Sequence, residues 1–327
     1  MIKRILYTLL IMFPVVASAQ INTDRVMAIG RNALYFEDYV LSIQYFNQVI
    51  NAKPYLSDPY FYRGLAKINL DDFQGAESDC SEAIERNPFV VSAYQVRGLA
   101  RIQQNNFAGA IEDYTKALEF DPENIGVWHN MALCRIRQED YKGAKNDLDK
   151  LIAISPRYTK AYLMRGEVDL KQKDTLAAEK DFGKAIEIDR YDADTWASRA
   201  ILRLQQQRYK DAEADFDHAI RLSTRNSGVY INRALARYHQ NNLRGAMSDY
   251  DIALDIDPNN FIGHYNRGLL RAQVGDDNRA IQDFNFVIEM EPDNMMAIFN
   301  RGLLLDQTGD YKGAIKDYST VINEYPY

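Results

Sequence analysis

The sequence predicts an all-α fold, a solenoid of helix-turn-helix units. Three observations predict it. Proline recurs every 34 residues, at Pro54, Pro88, Pro122, Pro156, Pro258, Pro292 and Pro326, and the two missing beats fall in register on Arg190 and Thr224. An unbroken period of that size means stacked small units rather than one globular core. Small residues hold fixed columns: Gly30, Gly64, Gly98, Gly166, Gly268 and Gly302 at the eighth position of a unit, and Ala76, Ala110, Ala144, Ala178, Ala212, Ala246, Ala280 and Ala314 at the twentieth. Aromatic rings hold two more columns, Tyr60, Tyr94, Trp128, Tyr162, Trp196 and Tyr230 at the fourth, and Phe46, Tyr114, Phe182, Phe216, Tyr250, Phe284 and Tyr318 at the twenty-fourth.

Residues 1–19 read as a secretory signal peptide. Lys3 and Arg4 precede a short apolar run, and Ala17-Ser18-Ala19 supplies the small residues a signal peptidase reads, with cleavage expected after Ala19. The run is too short for a comfortable membrane span. Residues 20–22 form a short lead-in, and 23–327 form one domain of nine units, beginning at residues 23, 57, 91, 125, 159, 193, 227, 261 and 295. The third unit serves for all. Tyr94, Gly98 and Arg101 sit at helical spacing over 92–104, Asn105-Asn106 breaks the pattern, and Ala110, Tyr114 and Ala117 resume it over 107–120. Asp121-Pro122 ends the second helix, because the residue before proline is pushed out of the helical region. Small residues let the paired helices approach; glycine costs up to ~1 kcal/mol of helix propensity there, so packing must offset it. The rings fill the space between neighbouring hairpins. Arg190 and Thr224 lack the rigid stop, which predicts looser junctions at those two beats.

This order of aromatic, small residue, Ala, aromatic and Pro resembles the tetratricopeptide repeat family, and the resemblance covers 23–327. It implies a right-handed superhelix in which the first helix of each pair lines a concave groove. It also implies a scaffold that binds extended peptides or partner proteins there.

One column departs from the family, whose seventh position is usually Leu. Here it carries Arg63, Arg97, Arg165, Arg199, Arg233, Arg267 and Arg301, while the twenty-third position carries Asp79, Asp113, Asp147, Asp181, Asp215, Asp249, Asp283 and Asp317. Pairing within a unit leaves only Asp147 without its arginine, so the columns predict structural ion pairs between first and second helix. The rival reading is a basic strip for an acidic partner. Lys67, Arg101, Arg135, Arg203, Arg237 and Arg271 at the eleventh position either share those carboxylates or face solvent.

Family geometry places positions 2, 5, 9, 12 and 13 of each first helix on the concave side. The candidate partner-binding residues there are Phe61, Leu65, Ile68, Leu99, Ile102, His129, Leu133, Ile136, Ile231, Leu235, Tyr238, Tyr265, Leu269 and Phe299. An apolar stripe of this kind either packs adjacent first helices together or forms a trough for an apolar or amphipathic segment. Phe61, Tyr238, Tyr265 and Phe299 are the strongest anchors, being rings. The family's clamp for a terminal carboxylate does not carry over, since the fifth position has no Lys and the ninth no Asn; Asn130, Asn232, Asn266 and Asn300 at the sixth are a partial match.

Composition bounds the rest. The net charge is −7, which argues against nucleic acid and anionic lipid as main partners. The two cysteines, Cys80 and Cys134, lie two units apart, too far for a disulfide, and read as core filler. His129, His218, His239 and His264 fall in different columns, and no metal, phosphate-loop or dinucleotide motif is present. No catalytic residues and no cofactor are expected. The sequence therefore points to an exported, periplasmic or secreted, non-enzymatic scaffold that binds protein partners and does not insert stably in the membrane once its leader is removed. Two other readings stand beside it: a homo-oligomer joined through Val321, Ile322 and Tyr325 of the uncovered last unit, and an accessory subunit of an envelope peptidoglycan or polysaccharide enzyme.

Overall fold

Two adjacent residues in each unit decide how its two helices join. In the third unit Asn105 takes φ 59°, the left-handed region, and its N–H donates to the Ile102 carbonyl at 2.9 Å. The Asn106 N–H reaches back to the Arg101 carbonyl at 2.8 Å. This pair of bonds is a Schellman close, which satisfies the last carbonyls of the first helix. The Asn106 side chain then accepts from the Gly109 N–H at 3.1 Å and caps the second helix. One residue thus ends one helix and starts the next. The left-handed position recurs at Glu37, Asp71, Glu139, Lys173, Gln207 and Asn241, and falls to glycine at Gly275 and Gly309. Asp38, Asp72, Asp140, Asp174, Asn242 and Asp310 repeat the shared cap.

A computed structural model describes residues 22–223 and 225–324. The expected leader, the Thr224 junction and Tyr325 to Tyr327 lie outside the described residues. Among the described residues there are eighteen α-helices and no strand. They divide into two compact units, Met1–Gly143 and Ala144–Tyr327. The first holds α1 (Thr23–Tyr35), α2 (Tyr39–Ala52), α3 (Asp58–Ile68), α4 (Phe73–Arg86), α5 (Val91–Gln103), α6 (Phe107–Phe120) and α7 (Ile125–Arg137). The helix α8 (Tyr141–Ile154) starts in the first unit and runs into the second. The second continues with α9 (Thr159–Lys171), α10 (Thr175–Ile188), α11 (Ala193–Gln205), α12 (Tyr209–Leu222), α13 (Ser227–His239), α14 (Leu243–Ile256), α15 (Phe261–Gln273), α16 (Asp277–Met290), α17 (Met295–Gln307) and α18 (Tyr311–Glu324). In each unit helices pack as antiparallel hairpins, and each hairpin packs on the next.

In three hairpins the glycine at the eighth position makes room for a ring that sits tight against it, whereas Ala200 and Ala234 hold the same place opposite Phe216 and Tyr250. A Cβ added at Gly30, Gly98 or Gly166 would lie 2.6–2.8 Å from Phe46, Tyr114 or Phe182 on the paired helix. Those rings are almost fully buried. The ring at the fourth position has a second use, because its polar tip reaches back to the preceding junction. Tyr60, Trp128 and Tyr162 donate to the carbonyls of Pro54, Pro122 and Pro156 at 3.3, 2.8 and 3.1 Å. Trp196 donates to Arg190, where proline is absent, at 2.9 Å.

At Arg190, where proline is absent, the backbone keeps the shape of the proline junctions. Asp189, before the missing proline, has φ −135° and ψ 101°, while Asp121, before Pro122, has φ −134° and ψ 80°. The Trp196 bond and the extended cap hold the junction in its neighbours' shape without the pyrrolidine ring. Cys80 and Cys134 are free and buried, and burial pushes both thiols up, Cys134 to about 11.

Candidate functional site on the first-helix face

The charged columns come first, because they decide which groups remain available. All seven arginines at the seventh position fork onto the aspartate of their own hairpin, with N···O distances of 2.5–3.1 Å: Arg63 to Asp79, Arg97 to Asp113, Arg165 to Asp181, Arg199 to Asp215, Arg233 to Asp249, Arg267 to Asp283 and Arg301 to Asp317. These carboxylates are at most 5 % exposed. The eleventh position shares them: Lys67, Arg101, Arg203, Arg237 and Arg271 reach the same aspartates at 2.7–3.0 Å. Arg135 bonds Asp140 at 2.8 Å.

Six of the seven arginines also use a further N–H that column counting missed. Arg63, Arg97, Arg165, Arg233, Arg267 and Arg301 donate to Asn47, Ser81, Asp149, Asp217, Asp251 and Asn285 of the preceding hairpin at 2.5–3.1 Å. Those positions share only an acceptor oxygen, so no residue-type column announces them. Before Arg199 the same place is Gly183, which has none to give. Further along, Arg101, Arg203 and Arg237 bond Glu77, Glu179 and Glu213 of the hairpin before. One such pair is charge-reversed, Lys145 with the buried Asp169 at 2.6 Å. Burial pushes Glu77 up, but bonds from Arg101 and Gln104 outweigh it and leave its pKa below the usual range. The arginine column is therefore an internal framework, and its guanidinium groups are already committed to carboxylates.

What remains of the stripe is mostly apolar, interrupted by exposed charges such as Arg31 and Glu167 in its ninth-position column. Leu99, Leu269 and Phe299 are exposed at 38, 38 and 42 %. Phe61, Leu65, Ile68, Ile102, His129, Leu133, Ile136, Leu235, Tyr238 and Tyr265 are half-buried. Ile231 departs from its expected place. It is buried at 7 %, because Gly263 carries no side chain and lets Ile231 and Leu254 close over that point of α15. It packs in the core and does not line a surface. Tyr265, one of the four rings expected to be the strongest anchors, has its hydroxyl tied to the Asn300 amide at 3.1 Å. That bond uses one of the four asparagines of the sixth position.

The first unit brings several candidates together along the seam between α5 and α7. A cleft of about 260 Å³ is lined by Gln95, Val96 and Leu99 of α5, by Asn124, Gly126, Val127 and Asn130 at the start of α7, and by Tyr114 from α6. A second, of about 360 Å³, is lined by Ile102, Leu133, Cys134 and Arg137 together with Gln103, Asn105 and Phe107. Leu99, Ile102 and Leu133 were legible as stripe residues, whereas Gln95, Val127 and Tyr114 were not. Tyr114 shares its column with Phe46, Phe182, Phe216 and Phe284 but also with Tyr250 and Tyr318, so residue type alone did not single it out. The second unit has a cleft of another kind, about 410 Å³, beside the Trp196 ring stacked on His218 at 4.2 Å, with Arg190, Tyr191 and Arg221 at its rim.

Comparison with known proteins follows the same register. Two sequence models described as tetratricopeptide repeat match residues 125–158 and 159–192, and 198–261 and 265–327; a third, described as TPR repeat, matches 98–134. The first two matches coincide with the fourth and fifth units read from the sequence. No curated protein matches. Among solved structures, a tetratricopeptide repeat protein from Parabacteroides merdae is 21 % identical over 76 % of this chain and 98 % of its own, with a TM-score of 0.58. The Cut9-Hcn1 hetero-tetramer of the APC/C gives 14 % identity over 87 % of this chain and 56 % of the other, at 0.58. Pseudomonas aeruginosa pilF gives 19 % over 66 and 97 %, at 0.56. These likenesses are of fold; the repeat matches, which together span most of the chain, show that it belongs to the tetratricopeptide repeat family.

Proposed function

We propose that this chain is an exported, non-enzymatic scaffold that holds an extended segment of a partner protein along the first-helix face. The observation that carries the reading is the division of labour between columns. The arginines of the seventh position are bound internally, which leaves the apolar stripe, with exposed Leu99, Leu269 and Phe299 and two clefts on the α5–α7 seam, as the free surface. Such a surface suits an extended chain whose alternate side chains enter successive recesses. The reading of residues 1–19 as a leader supports a site of action in the periplasm or outside the cell.

A photo-reactive residue placed at Leu99, on α5, and at Lys116, on the exposed side of α6, tests the surface in native cells. Crosslinks to a partner from Leu99 and not from Lys116 are expected; the reverse pattern moves the binding surface to the second helices. Fusing residues 1–30 to a reporter active only after export tests the location, and mature protein beginning at Gln20 is the expected product. A second reading, self-association through α18, is favoured by Tyr311, Ile315 and Ile322, all more than half exposed. Light scattering that gives a monomer at working concentration removes it.

A further inference from the structure

The Tyr114 hydroxyl is buried and has no hydrogen-bond partner. The side chain is 1 % exposed, yet it lines the smaller cleft on the α5–α7 seam. Packing does not require the oxygen, because Phe46, Phe182, Phe216 and Phe284 fill the same position in other hairpins with a bare ring. Burying an unpaired hydroxyl is unfavourable. Gly98 leaves room for the ring on α5, where an added Cβ would come within 2.8 Å of Cε1 and 2.9 Å of Cζ, and a guest reaches the oxygen only after a small shift of the cleft wall. The Asn130 side chain is close enough to act toward the hydroxyl as a loose hydrogen-bonding neighbour, but no bond of normal geometry joins them. Burial pushes the hydroxyl's pKa up, so it stays protonated and can both donate and accept.

The walls narrow the choice of occupant. None of the residues lining this cleft is charged. A carboxylate or an ammonium group would lose its hydration there and find no counter-charge. An apolar side chain would leave the hydroxyl as it is, unpaired. Val96, Leu99 and Val127 suit a methylene stem, while Tyr114, Gln95 and Asn130 offer donors and acceptors to a group that has both. We infer that the cleft above Tyr114 recognises the side-chain carboxamide of an asparagine or glutamine in the bound segment. The inference rests on the peptide-binding reading above and adds its specificity.

The test is selection of a random dodecapeptide library, displayed on phage, against the mature chain and against Tyr114→Phe. Calorimetry follows on the best peptide and on its versions with the carboxamide residue changed to Leu or Glu. Tyr114→Phe is expected to fold with an unchanged or raised melting temperature, since phenylalanine serves at this register elsewhere. The wild type should enrich Asn or Gln at one fixed position, and the variant should lose that preference. Tyr114→Phe should weaken the carboxamide peptide about three- to tenfold and leave the Leu peptide unchanged. Asn130→Ala, in the neighbouring helix, should show the same selectivity if the phenylalanine variant folds poorly. Peptides selected without Asn or Gln, or equal losses for carboxamide and Leu peptides, overturn this inference and leave peptide binding standing. Selection of no peptide by either protein overturns both.

Discussion

Asp215→Ala probes the internal framework at its least redundant point. Asp215 is 2 % exposed and accepts two bonds from Arg199 and one from Arg203, all at 2.8 Å. When the carboxylate is removed, Arg203 keeps Glu179 at 3.0 Å, but Arg199 keeps only the face of Trp196, 5.0 Å from the ring centroid. The preceding hairpin offers it Gly183 where other arginines find an oxygen. Removing one partner of a buried pair costs about 3–5 kcal/mol. The Arg199 side chain is 15 % exposed and can recover some hydration, so the lower figure, about 3 kcal/mol, applies. For a unit of this size that is a fall in melting temperature of roughly 6–12 °C. Asp249→Ala supplies the comparison. There Arg233 keeps Asp217 at 2.7 Å and Arg237 keeps Glu213 at 2.7 Å, so neither guanidinium is left without a carboxylate. Its effect should be smaller by about one charge-assisted hydrogen bond, about 1.5–3 kcal/mol. Scanning calorimetry and urea titration followed by circular dichroism measure both. A fall of less than about 2 °C for Asp215→Ala, or an equal or larger effect at Asp249, refutes the reasoning.

Three further outcomes follow from the same geometry. Gly98→Ala should destabilise by about 1–3 kcal/mol through overlap with the Tyr114 ring, whereas Gly183→Ala, with nothing within 4 Å of the added carbon, should stabilise by about 0.5–1 kcal/mol; urea midpoints distinguish them. Arg190→Pro should stabilise by about 0.4–1 kcal/mol, because Asp189 is already extended as before a proline, and a loss measured by thermal melting contradicts that. Partial desolvation and the charge of Asp194 raise the pKa of Glu167, weakly because its side chain stays exposed, so its ionised form slightly opposes folding above that pKa and the opposition vanishes below the ordinary glutamate value near ~4.3. Glu167→Gln should therefore raise the melting temperature at pH 7, with the gain shrinking to nothing as the pH is lowered past that value. Asp283 acts with the opposite sign. Burial pushes it up, but His264 and Arg267 hold it below the usual range, so its contribution is full above pH ~4 and declines as acid titrates the folded carboxylate.

The sequence exposed whatever recurs as a residue type. The proline beat, Gly98 facing Tyr114, and Arg97 against Asp113 each appear as columns, because the same steric or ionic need selects the same side chain in nearly every hairpin. Needs that several residue types can meet stayed hidden. The left-handed turn position is filled by Glu37, Asn105, Lys173 and Gln207, residues with little in common, since the Schellman bonds impose the backbone angle and tolerate most side chains. The acceptors Asn47, Ser81 and Asp217 share one oxygen and no identity. Lys145 with Asp169 reverses the sign of its column. Ile231 was misplaced because its burial depends on Gly263, one hairpin later, where other hairpins carry a side chain. Tyr114 marks the limit of column reading at the candidate site, for the column announces a ring and not what its oxygen meets.

The residue shared between paired helices has a mechanical implication. Asn106 closes α5 with its N–H and opens α6 with its side chain, and no spacer separates the two roles. A hairpin built this way has no slack to give when a ligand arrives. Adjustment to a thicker or thinner guest must come from sliding or tilting of one hairpin against the next, a little at each seam, while every hairpin moves as a solid piece.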